Sequence, residues 1–306
     1  MQDPIENADT SAEVVSGTVS ETIHAEATGT LYIVATPIGN LKDITYRAVE
    51  TLEKVDWIAA EDTRHTAKLL QALAMHRPLI SLHDHNEQAR MVQLLEKLKR
   101  GENGALVSDA GTPLINDPGF HLVKLLRKEG VNVVPIPGPS AVITALCAAG
   151  LPTNRFSYEG FLPAKSQKRI NVLTDLKDDT RTLVFYESPH RLMDTLPALA
   201  EAFGEERQMA VGRELTKTYE QFVSGSVRDV LDYFTENSDK VRGEFVLMVM
   251  GAIVEEDTDV TDHDPLILSM LKQGLPVKQI SEIIADYSGE KKKLIYTRVL
   301  QLKDQL

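Results

Sequence analysis

Several features that define common classes of protein are missing from this chain of 306 residues. Cys147 is the only cysteine, so the chain offers neither an internal disulfide nor a cluster of thiolate metal ligands. Its apolar surroundings predict a small buried core residue. No apolar run approaches the ~20 residues of a membrane helix, and no signal-peptide pattern is present. We therefore expect a soluble globular protein of the cytoplasm that has no membrane partner.

The two best-known glycine-rich nucleotide motifs are also missing. The turn at residues 36–40 follows the first predicted strand and contains one glycine, Gly39, in place of G-x-G-x-x-G. This absence weighs against NAD and FAD. No G-x-x-x-x-G-K-[ST] motif occurs either, which weighs against a phosphate-binding nucleotide loop.

Negative charge is concentrated in two short segments, although the whole chain carries a net charge of −12. Residues 1–30 and residues 251–264 each contain six acidic residues and no lysine or arginine. The rest of the chain contains 33 acidic and 33 basic residues. Because this body is neutral, the overall charge does not exclude local basic patches or a polyanionic partner.

Strand and helix patterns alternate through the first half of the chain. Strands are predicted at residues 31–35, 57–60, 79–82, 105–107 and 131–134. Helices are predicted at residues 46–55, 66–73, 87–100 and 120–129, with one more after residue 140. Alternation at this spacing predicts an α/β domain with a mostly parallel sheet covered by helices.

A second α/β domain is predicted after residue 150. Its strands are predicted at residues 156–160, 182–186, 208–211, 221–224 and 244–250. Its helices are predicted at residues 166–176, 190–203 and 227–235. Several connections are too short for a crossover between parallel strands, so this sheet should be mixed.

Composition sets the remaining domain boundaries. We expect a disordered acidic tail at 1–29, domains at 30–149 and 150–251, and an acidic linker at 252–264. Residues 265–306 predict two or three short helices with a net charge of +3. A glycine turn followed by a lysine-rich helix is typical of a helix-turn-helix module that contacts nucleic acid. A small helical cap or a dimerisation element has the same pattern.

The loop at residues 108–119 is the strongest candidate site. It follows a buried strand, and its small residues let a ligand approach the backbone closely. Asp117 and Pro118 predict the cap and first residue of the next helix. The loop at residues 135–140 contains three prolines and one glycine, and Ser140 can cap the helix that follows. An ordinary strand-to-helix turn and a plain connector between domains explain these two loops as well.

Nine short motifs, in chain order, carry a resemblance to one family. They lie at residues 35–43, 60–64, 81–87, 107–119, 135–140, 160–163, 185–191, 212–217 and 242–246. With them the chain resembles the tetrapyrrole methylase superfamily, enzymes of two α/β domains with S-adenosylmethionine in the cleft between them. Within it the chain is similar to the bacterial 16S ribosomal RNA (cytidine-1402-2′-O)-methyltransferases. The resemblance spans residues 31–251.

This resemblance implies a set of binding residues. The residues implied for S-adenosylmethionine are Pro37, Gly39, Asp109, Ala110, Gly111, Thr112, Pro137, Gly138, Ser140 and Tyr186. Those implied for RNA phosphates are Arg64, Lys165, Lys168, Arg169, Arg191 and Arg213, although a solvated surface explains each of them singly. The resemblance also implies a homodimer that acts on a largely assembled small ribosomal subunit.

Methyl transfer to a ribose 2′-hydroxyl requires a base, or a cation that stabilises the alkoxide. The candidates are Glu187, Glu214 and Lys217. Glu187 lies four residues before Arg191, so a structural salt bridge is the alternative. Glu61 and Asp62 are further carboxylates that can face the site from the first domain.

Asp109 and the histidine pair His83 and His85 each have two open interpretations. Asp109 either faces the positively charged part of the cofactor or caps its own turn. His83 and His85 have the spacing of two metal ligands, but without a convincing third ligand a hydrogen-bonded turn is favoured, and no metal is predicted.

Two other functions remain open. The same cofactor site would serve a small-molecule methyltransferase that acts on a tetrapyrrole precursor. Alternatively, the chain is a non-catalytic RNA-binding factor that keeps the fold, in which case it need not bind S-adenosylmethionine.

Overall fold

A computed structural model describes residues 28–253 and 263–305 of the chain. Residues 1–27 of the predicted tail and residues 254–262 of the predicted linker lie outside these residues. The chain forms two compact units, Met1–Thr144 with Glu214–Glu220, and Ala145–Arg213 with Gln221–Leu306. The segment Glu214–Glu220 thus belongs to the first unit, although the chain before and after it belongs to the second unit.

The first unit is built on a parallel sheet of five strands, as predicted. The strands are β1 (Thr30–Val34), β2 (Trp57–Ala60), β3 (Leu79–Ser81), β4 (Gly104–Val107) and β5 (Asn132–Ile136). Their order across the sheet is β3-β2-β4-β1-β5. The helices are α1 (Tyr46–Lys54), α2 (Thr63–Ala72), α3 (Glu87–Lys99) and α4 (Phe120–Lys128). A further helix, α5 (Ala141–Ala148), runs from the first unit into the second.

Helices cover both faces of this sheet. Trp57 and Ala59 of β2 pack in one apolar cluster with leucines of α3 and α4. Ile58 and Ala60 of the same strand pack in a second cluster with residues of α1 and α2. Because successive side chains of a strand point to opposite faces, a strand buried on both faces is apolar throughout. This explains the continuous apolar runs in the sequence.

The predicted cap of α4 was wrong, although the predicted start of this helix at residue 120 is confirmed. The helix begins at Phe120, and its N-cap is Gly119 with φ of +121°. Asp117 does not cap this helix, because its carboxyl group is hydrogen-bonded to Ser108 at the end of β4. The chain turns through left-handed backbone at Leu114 and Asn116 before it enters the helix. The loop is therefore more sharply folded than an Asp-Pro cap predicts.

Cys147 was also predicted wrongly, because it is exposed. Helix α5 buries Val142, Ala145 and Leu146, which lie three and four positions apart on one face. Cys147 lies on the other face with Ile143, which is 55% exposed. An apolar helix sequence does not reveal that only one of its faces is covered.

The second unit contains a mixed sheet, as predicted. Its strands are β6 (Phe156–Phe161), β7 (Thr182–Glu187), β8 (Gln208–Arg213), β9 (Gln221–Ser226) and β10 (Phe245–Val249). Their order is β6-β7-β10-β8-β9; β6 and β7 are parallel, and the other neighbours are antiparallel. The helices are α6 (Ser166–Asp175), α7 (Pro189–Phe203) and α8 (Val227–Glu236). They pack on a core that includes Phe185, Phe234 and Phe245.

Three helices follow near the C-terminus. They are α9 (Asp264–Lys272), α10 (Val277–Ser288) and α11 (Lys292–Lys303). Ile267, Ile280, Ile284, Ile295 and Val299 form their shared core. Gly289 ends α10 in the left-handed conformation, with φ of +76°, which glycine adopts without strain. Within the described residues, no helix has both the length and the apolarity that crossing a membrane requires.

Candidate functional site

Three loops of the first unit meet at the carboxyl edge of its sheet. They follow β1, β4 and β5, and β1 lies between the other two strands. The chain leaves β1 through α1, on one face of the sheet, and leaves β4 through α4, on the other face. Loops that diverge from neighbouring parallel strands open a crevice where ligands bind in such sheets.

Direct hydrogen bonds tie the first two loops together. Thr36 N–H donates to the Gly111 carbonyl oxygen at 2.8 Å, and Gly111 N–H donates to the Thr36 carbonyl oxygen at 3.0 Å. Gly111 has φ of +80°, and a Cβ on it would lie 3.3 Å from Ile38 Cγ2. The left-handed backbone and this close approach together explain why glycine occupies the position.

The third loop joins through a side chain. Thr112 Oγ1 donates to the carbonyl oxygen of Pro139 at 3.0 Å. A Cβ on Gly138 would lie 3.0 Å from the Cβ of Ala35, so this loop also lies close to the end of β1. Nine of the ten predicted cofactor residues belong to these loops: Pro37, Gly39, Asp109, Ala110, Gly111, Thr112, Pro137, Gly138 and Ser140. The tenth, Tyr186, lies on β7 in the second unit, with its ring against Tyr158 and Phe161.

A fourth loop, Glu214–Glu220, packs against the turn after β1. A Cβ on Gly39 would lie only 2.5 Å from Lys217 Cγ and 3.0 Å from Thr216 Oγ1. Lys217 Nζ donates to Glu214 Oε1 at 2.7 Å, and the two side chains are 29% and 18% exposed. Glu214 and Thr216 both have left-handed backbone, with φ of +50° and +65°. Such strain in residues other than glycine persists only where the surrounding structure enforces it, often at functional sites.

Asp109 connects this edge to β2. Its Oδ1 accepts the backbone N–H of Asp62 at 3.1 Å. Asp62 in turn caps α2 through its own side chain and pairs with Arg64 at 2.7 Å. The hydrogen bond from the backbone of a neighbouring loop is an additional role of the Asp109 carboxylate, which neither sequence interpretation included.

Two carboxyl groups at this edge bind protons more tightly than usual. Partial burial and the nearby charges of Asp109 and Asp84 raise the pKa of Asp117 to about 6, against the opposing effect of its hydrogen bond with Ser108. Burial, followed by the charges of Asp117 and Asp109, also raises the pKa of Glu61. Negative charge is therefore held close together, and a cationic ligand is favoured over an anionic one.

The raised pKa of Asp117 predicts a pH dependence of stability. Between pH 3.8 and about 6 the folded protein holds this proton more tightly than the unfolded chain does, so stability falls as pH rises through this window. Asp117→Asn is expected to raise the melting temperature by roughly 3 °C at pH 7.5 and to leave it nearly unchanged at pH 4.5. Thermal melts of the wild-type and Asp117→Asn proteins at both pH values measure the difference.

The control for this prediction is Asp194→Asn, since Asp194 is exposed on α7. Its melting temperature should differ from the wild-type value equally at both pH values. If Asp117→Asn also behaves in that way, the proton on Asp117 is not linked to folding.

His83 takes part in a hydrogen-bonded turn. Its backbone N–H donates to Asn86 Oδ1 at 2.9 Å, and Asn86 Nδ2 lies 3.1 Å from His83 Nε2. His85 is exposed beside it. No group of three metal-binding side chains that could hold an ion is found in the described part of the chain.

Glu187 lies at the end of β7 and is almost fully buried. Its Oε1 accepts the backbone N–H of Ser188 at 2.8 Å, and its Oε2 accepts the hydroxyl of Thr195 at 2.7 Å. Arg191 Nε lies 3.5 Å from Oε1, in agreement with the salt-bridge alternative. Both oxygens therefore hold the start of α7 in place.

The six predicted phosphate contacts differ in exposure. Lys165 and Lys168 are exposed near the start of α6, and the side chain of Arg64 is 87% exposed. Arg191 is partly buried. Arg213 is 6% exposed, and its Nε donates to the carbonyl oxygen of Arg242.

Arg169 differs from the other five predicted phosphate contacts. It is only 3% exposed, and its Nε and Nη1 have no hydrogen-bond partner among the described residues. A buried guanidinium in this state is not an ordinary surface contact for a phosphate.

The sequence of this edge matches a known family. Residues 30–231 match the family described as Tetrapyrrole (Corrin/Porphyrin) Methylases. The chain belongs to the tetrapyrrole methylase family. The match begins at β1 and ends within α8, so it includes all four loops described above.

Close relatives within the tetrapyrrole methylase family share most of the chain. A protein of Escherichia coli O157:H7 is 51% identical over 89% of this chain and 95% of its own length. Relatives from Pasteurella multocida and Synechocystis are 48% and 47% identical, over 88% and 90% of this chain and 96% and 99% of their own lengths. All three carry the name ribosomal RNA small subunit methyltransferase I.

Solved structures show the same fold at low identity. Diphthine synthase superposes with a TM-score of 0.57 at 15% identity, over 73% of this chain and 90% of its own. Uroporphyrin-III-C-methyltransferase of Thermus thermophilus superposes with a TM-score of 0.53 at 22% identity, over 72% and 94%. These similarities support the fold of the tetrapyrrole methylase family and carry no information about the substrate of this chain.

Sequence reasoning missed two features of this tetrapyrrole methylase site. Thr216 was not selected, although it lies inside a motif that supplied Glu214 and Lys217. Its left-handed backbone leaves no signature in the residue type. The raised pKa of Asp117 was missed because it depends first on burial and then on the nearby charges of Asp109 and Asp84, none of which residue type reveals.

Proposed function

We propose that this chain transfers the methyl group of S-adenosylmethionine to the ribose 2′-oxygen of cytidine 1402 in 16S ribosomal RNA. The observation that carries the proposal is identity of 44–51% with proteins named ribosomal RNA small subunit methyltransferase I, over about nine-tenths of the chain. The three loops around Thr36, Gly111 and Pro139 support a site for the methyl donor. The proposed enzyme acts in the cytoplasm as a homodimer on the small subunit.

The residues of the first unit fit the methyl donor in two respects. Three loops rich in small residues and proline converge at one edge of the sheet, where the pair of hydrogen bonds between Thr36 and Gly111 holds two of them together. The carboxylates at the same edge favour a cationic ligand, and S-adenosylmethionine carries a positive sulfonium and an ammonium group. When bound, this donor supplies an electrophilic methyl group. The residues proposed to hold it in the first unit are those of the three loops.

The chain itself must activate the ribose hydroxyl. The Glu187 side chain is 0% exposed, whereas those of Glu214 and Lys217 are 18% and 29% exposed, so we assign this role to the pair of Glu214 and Lys217. Glu214 Oε1 would accept the hydroxyl proton, and Lys217 Nζ, 2.7 Å away, would stabilise negative charge on the ribose oxygen. The packing of Lys217 against Gly39 holds the pair beside the three loops that are proposed to bind the methyl donor.

The direct test uses methyl-labelled S-adenosylmethionine and small ribosomal subunits from a strain that lacks this gene. After the reaction, the RNA is digested and the labelled nucleosides are identified by mass spectrometry. Label in 2′-O-methylcytidine at position 1402 is the expected result. If the protein binds S-adenosylmethionine but the RNA carries no label, a tetrapyrrole precursor is favoured as substrate. If the RNA carries no label and the protein does not bind S-adenosylmethionine, a non-catalytic RNA-binding factor is favoured.

The C-terminal helices supply a proposed RNA surface. Lys293 and Lys303 lie at the two ends of α11, with Tyr296 between them on the same side of the helix. Both lysines are exposed, and Tyr296 is 41% exposed. Neither lysine forms an ion pair with another described residue, whereas Lys292 pairs with Glu282. Free cations beside an exposed aromatic ring suit phosphates and unstacked bases.

Substitution of both free lysines tests this surface. The double variant Lys293→Gln with Lys303→Gln is expected to weaken binding to small subunits several-fold. The slope of log affinity against log salt concentration should become shallower by about one or more. Affinity for S-adenosylmethionine should not change. Binding is measured with labelled subunits over a range of salt concentrations, and Lys292→Gln is the matched control. An unchanged salt slope would support a helical cap or a dimerisation element instead.

A further inference from the structure

Thr216 combines two unusual features in the loop Glu214–Glu220. It is β-branched, yet its backbone is left-handed with φ of +65°, a conformation that such residues rarely adopt. Its backbone N–H donates to Glu220 Oε2 at 2.6 Å. The Glu220 carboxylate therefore helps to hold the residue in place.

The hydroxyl group of Thr216 is enclosed and lacks a hydrogen-bond partner. Its Oγ1 is buried and makes no hydrogen bond to any of the described residues. A buried hydroxyl in this state destabilises the protein, because it has lost water and gained nothing in exchange. Valine would fill the same space without this cost, so packing alone does not explain a threonine here.

The position of the hydroxyl indicates what it faces. Oγ1 would lie 3.0 Å from a Cβ on Gly39, so it lies against the one glycine in the turn after β1. That turn is joined to the Gly111 loop through the two hydrogen bonds of Thr36. A hydroxyl group without a hydrogen-bond partner is thus held against the loops that form the candidate site for the methyl donor.

We propose that Thr216 binds the methyl donor, S-adenosylmethionine, through a hydrogen bond from its hydroxyl group to a polar group of the donor at the Gly39 turn. This inference rests on the proposed function. Thr216 is thereby a binding residue contributed by the β8–β9 connection, in addition to the residues of the three loops. The strained backbone is the means by which a hydroxyl from this distant segment reaches the turn.

The test compares donor binding and stability in variants that differ by the hydroxyl alone. Thr216→Val keeps the shape and removes the hydroxyl, and it is expected to raise the dissociation constant for S-adenosylmethionine about tenfold. Its melting temperature without donor should equal or exceed that of the wild type, since an unsatisfied polar group is gone. Calorimetry without RNA measures the affinity. Thr218→Val, at an exposed threonine of the same loop, should bind as the wild type does.

A second pair guards against a misfolded valine variant. Thr216→Ser and Thr216→Ala differ by one hydroxyl and both lack the γ-methyl group, and the serine variant is expected to bind the donor about tenfold more tightly. If the wild type and Thr216→Val bind S-adenosylmethionine equally, and Thr216→Ser and Thr216→Ala also do so, while methylation is intact, this inference is overturned and the proposed function is not. A change confined to the KM for small subunits would overturn it in favour of an RNA contact. A wild-type protein that binds no donor would overturn the proposed function as well.

Discussion

Replacement of Gly104 by alanine is expected to lower the free energy of unfolding by about 3 kcal/mol. Gly104 begins β4 and is paired with Trp57 on β2. A Cβ on Gly104 would lie 2.2 Å from Trp57 Cη2 and 2.3 Å from Cζ2. Trp57 is 1% exposed, so its ring cannot move into solvent, and the added methyl group must displace packed neighbours. The midpoint of urea unfolding, with its slope, measures the loss.

A double-mutant cycle isolates the contact between Gly104 and Trp57. Trp57→Phe shortens the ring, and the Gly104→Ala change should then cost clearly less than it does in the wild type. The Trp57 Nε1 group has no hydrogen-bond partner among the described residues, so its removal brings no loss of hydrogen bonding. Additive effects of the two substitutions would show that the cost does not arise from the Trp57 ring.

The sequence was sufficient to predict the elements of both sheets, because each strand is an apolar run between turn residues. For example, Trp57–Ala60 is buried at all four positions, and a strand covered on both faces gives this signal. Short connections likewise identified the mixed second sheet. The errors occurred where residue type does not report on burial or backbone direction. Cys147 lies on the uncovered side of α5, and the cap of α4 follows left-handed residues at Leu114 and Asn116 that residue type does not reveal.

The candidate site was less predictable than the fold because its parts come from distant segments. The loops after β1, β4 and β5 were found individually, since small residues and prolines mark such turns. Their joining through Thr36, Gly111, Thr112 and Pro139 appears only when the strand order is known. The packing of Lys217 against Gly39 has no local signal at all, because it depends on where the β8–β9 connection returns.

Lys217→Met is expected to reduce kcat for methylation of small subunits about 100-fold or more. Lys217 Nζ is the cation held by Glu214 Oε1 at 2.7 Å, and methionine preserves most of the apolar stem that packs near Gly39. The loss should therefore fall on the chemical step. Affinity for S-adenosylmethionine should remain within about threefold of the wild-type value, a difference of less than 1 kcal/mol. Single-turnover kinetics with labelled donor, together with calorimetry, separate the two quantities.

Two further variants distinguish catalysis from structural support by Lys217. Lys240→Met removes an exposed lysine that lies beside Asp239 and should leave kcat unchanged.

Glu214→Gln removes the proposed base but keeps a hydrogen-bond acceptor for Lys217, so kcat should fall while the melting temperature changes little. If Glu214 accepts the proton, kcat of the wild type should rise with pH, and this rise should be lost in Glu214→Gln. A fall in kcat for Lys217→Met that is matched by an equal loss of donor affinity would instead mean that Lys217 only supports the Gly39 turn. In that case the base must be sought among the other carboxylates at the carboxyl edge of the first sheet, of which Glu61 and Asp117 already bind their protons more tightly than usual.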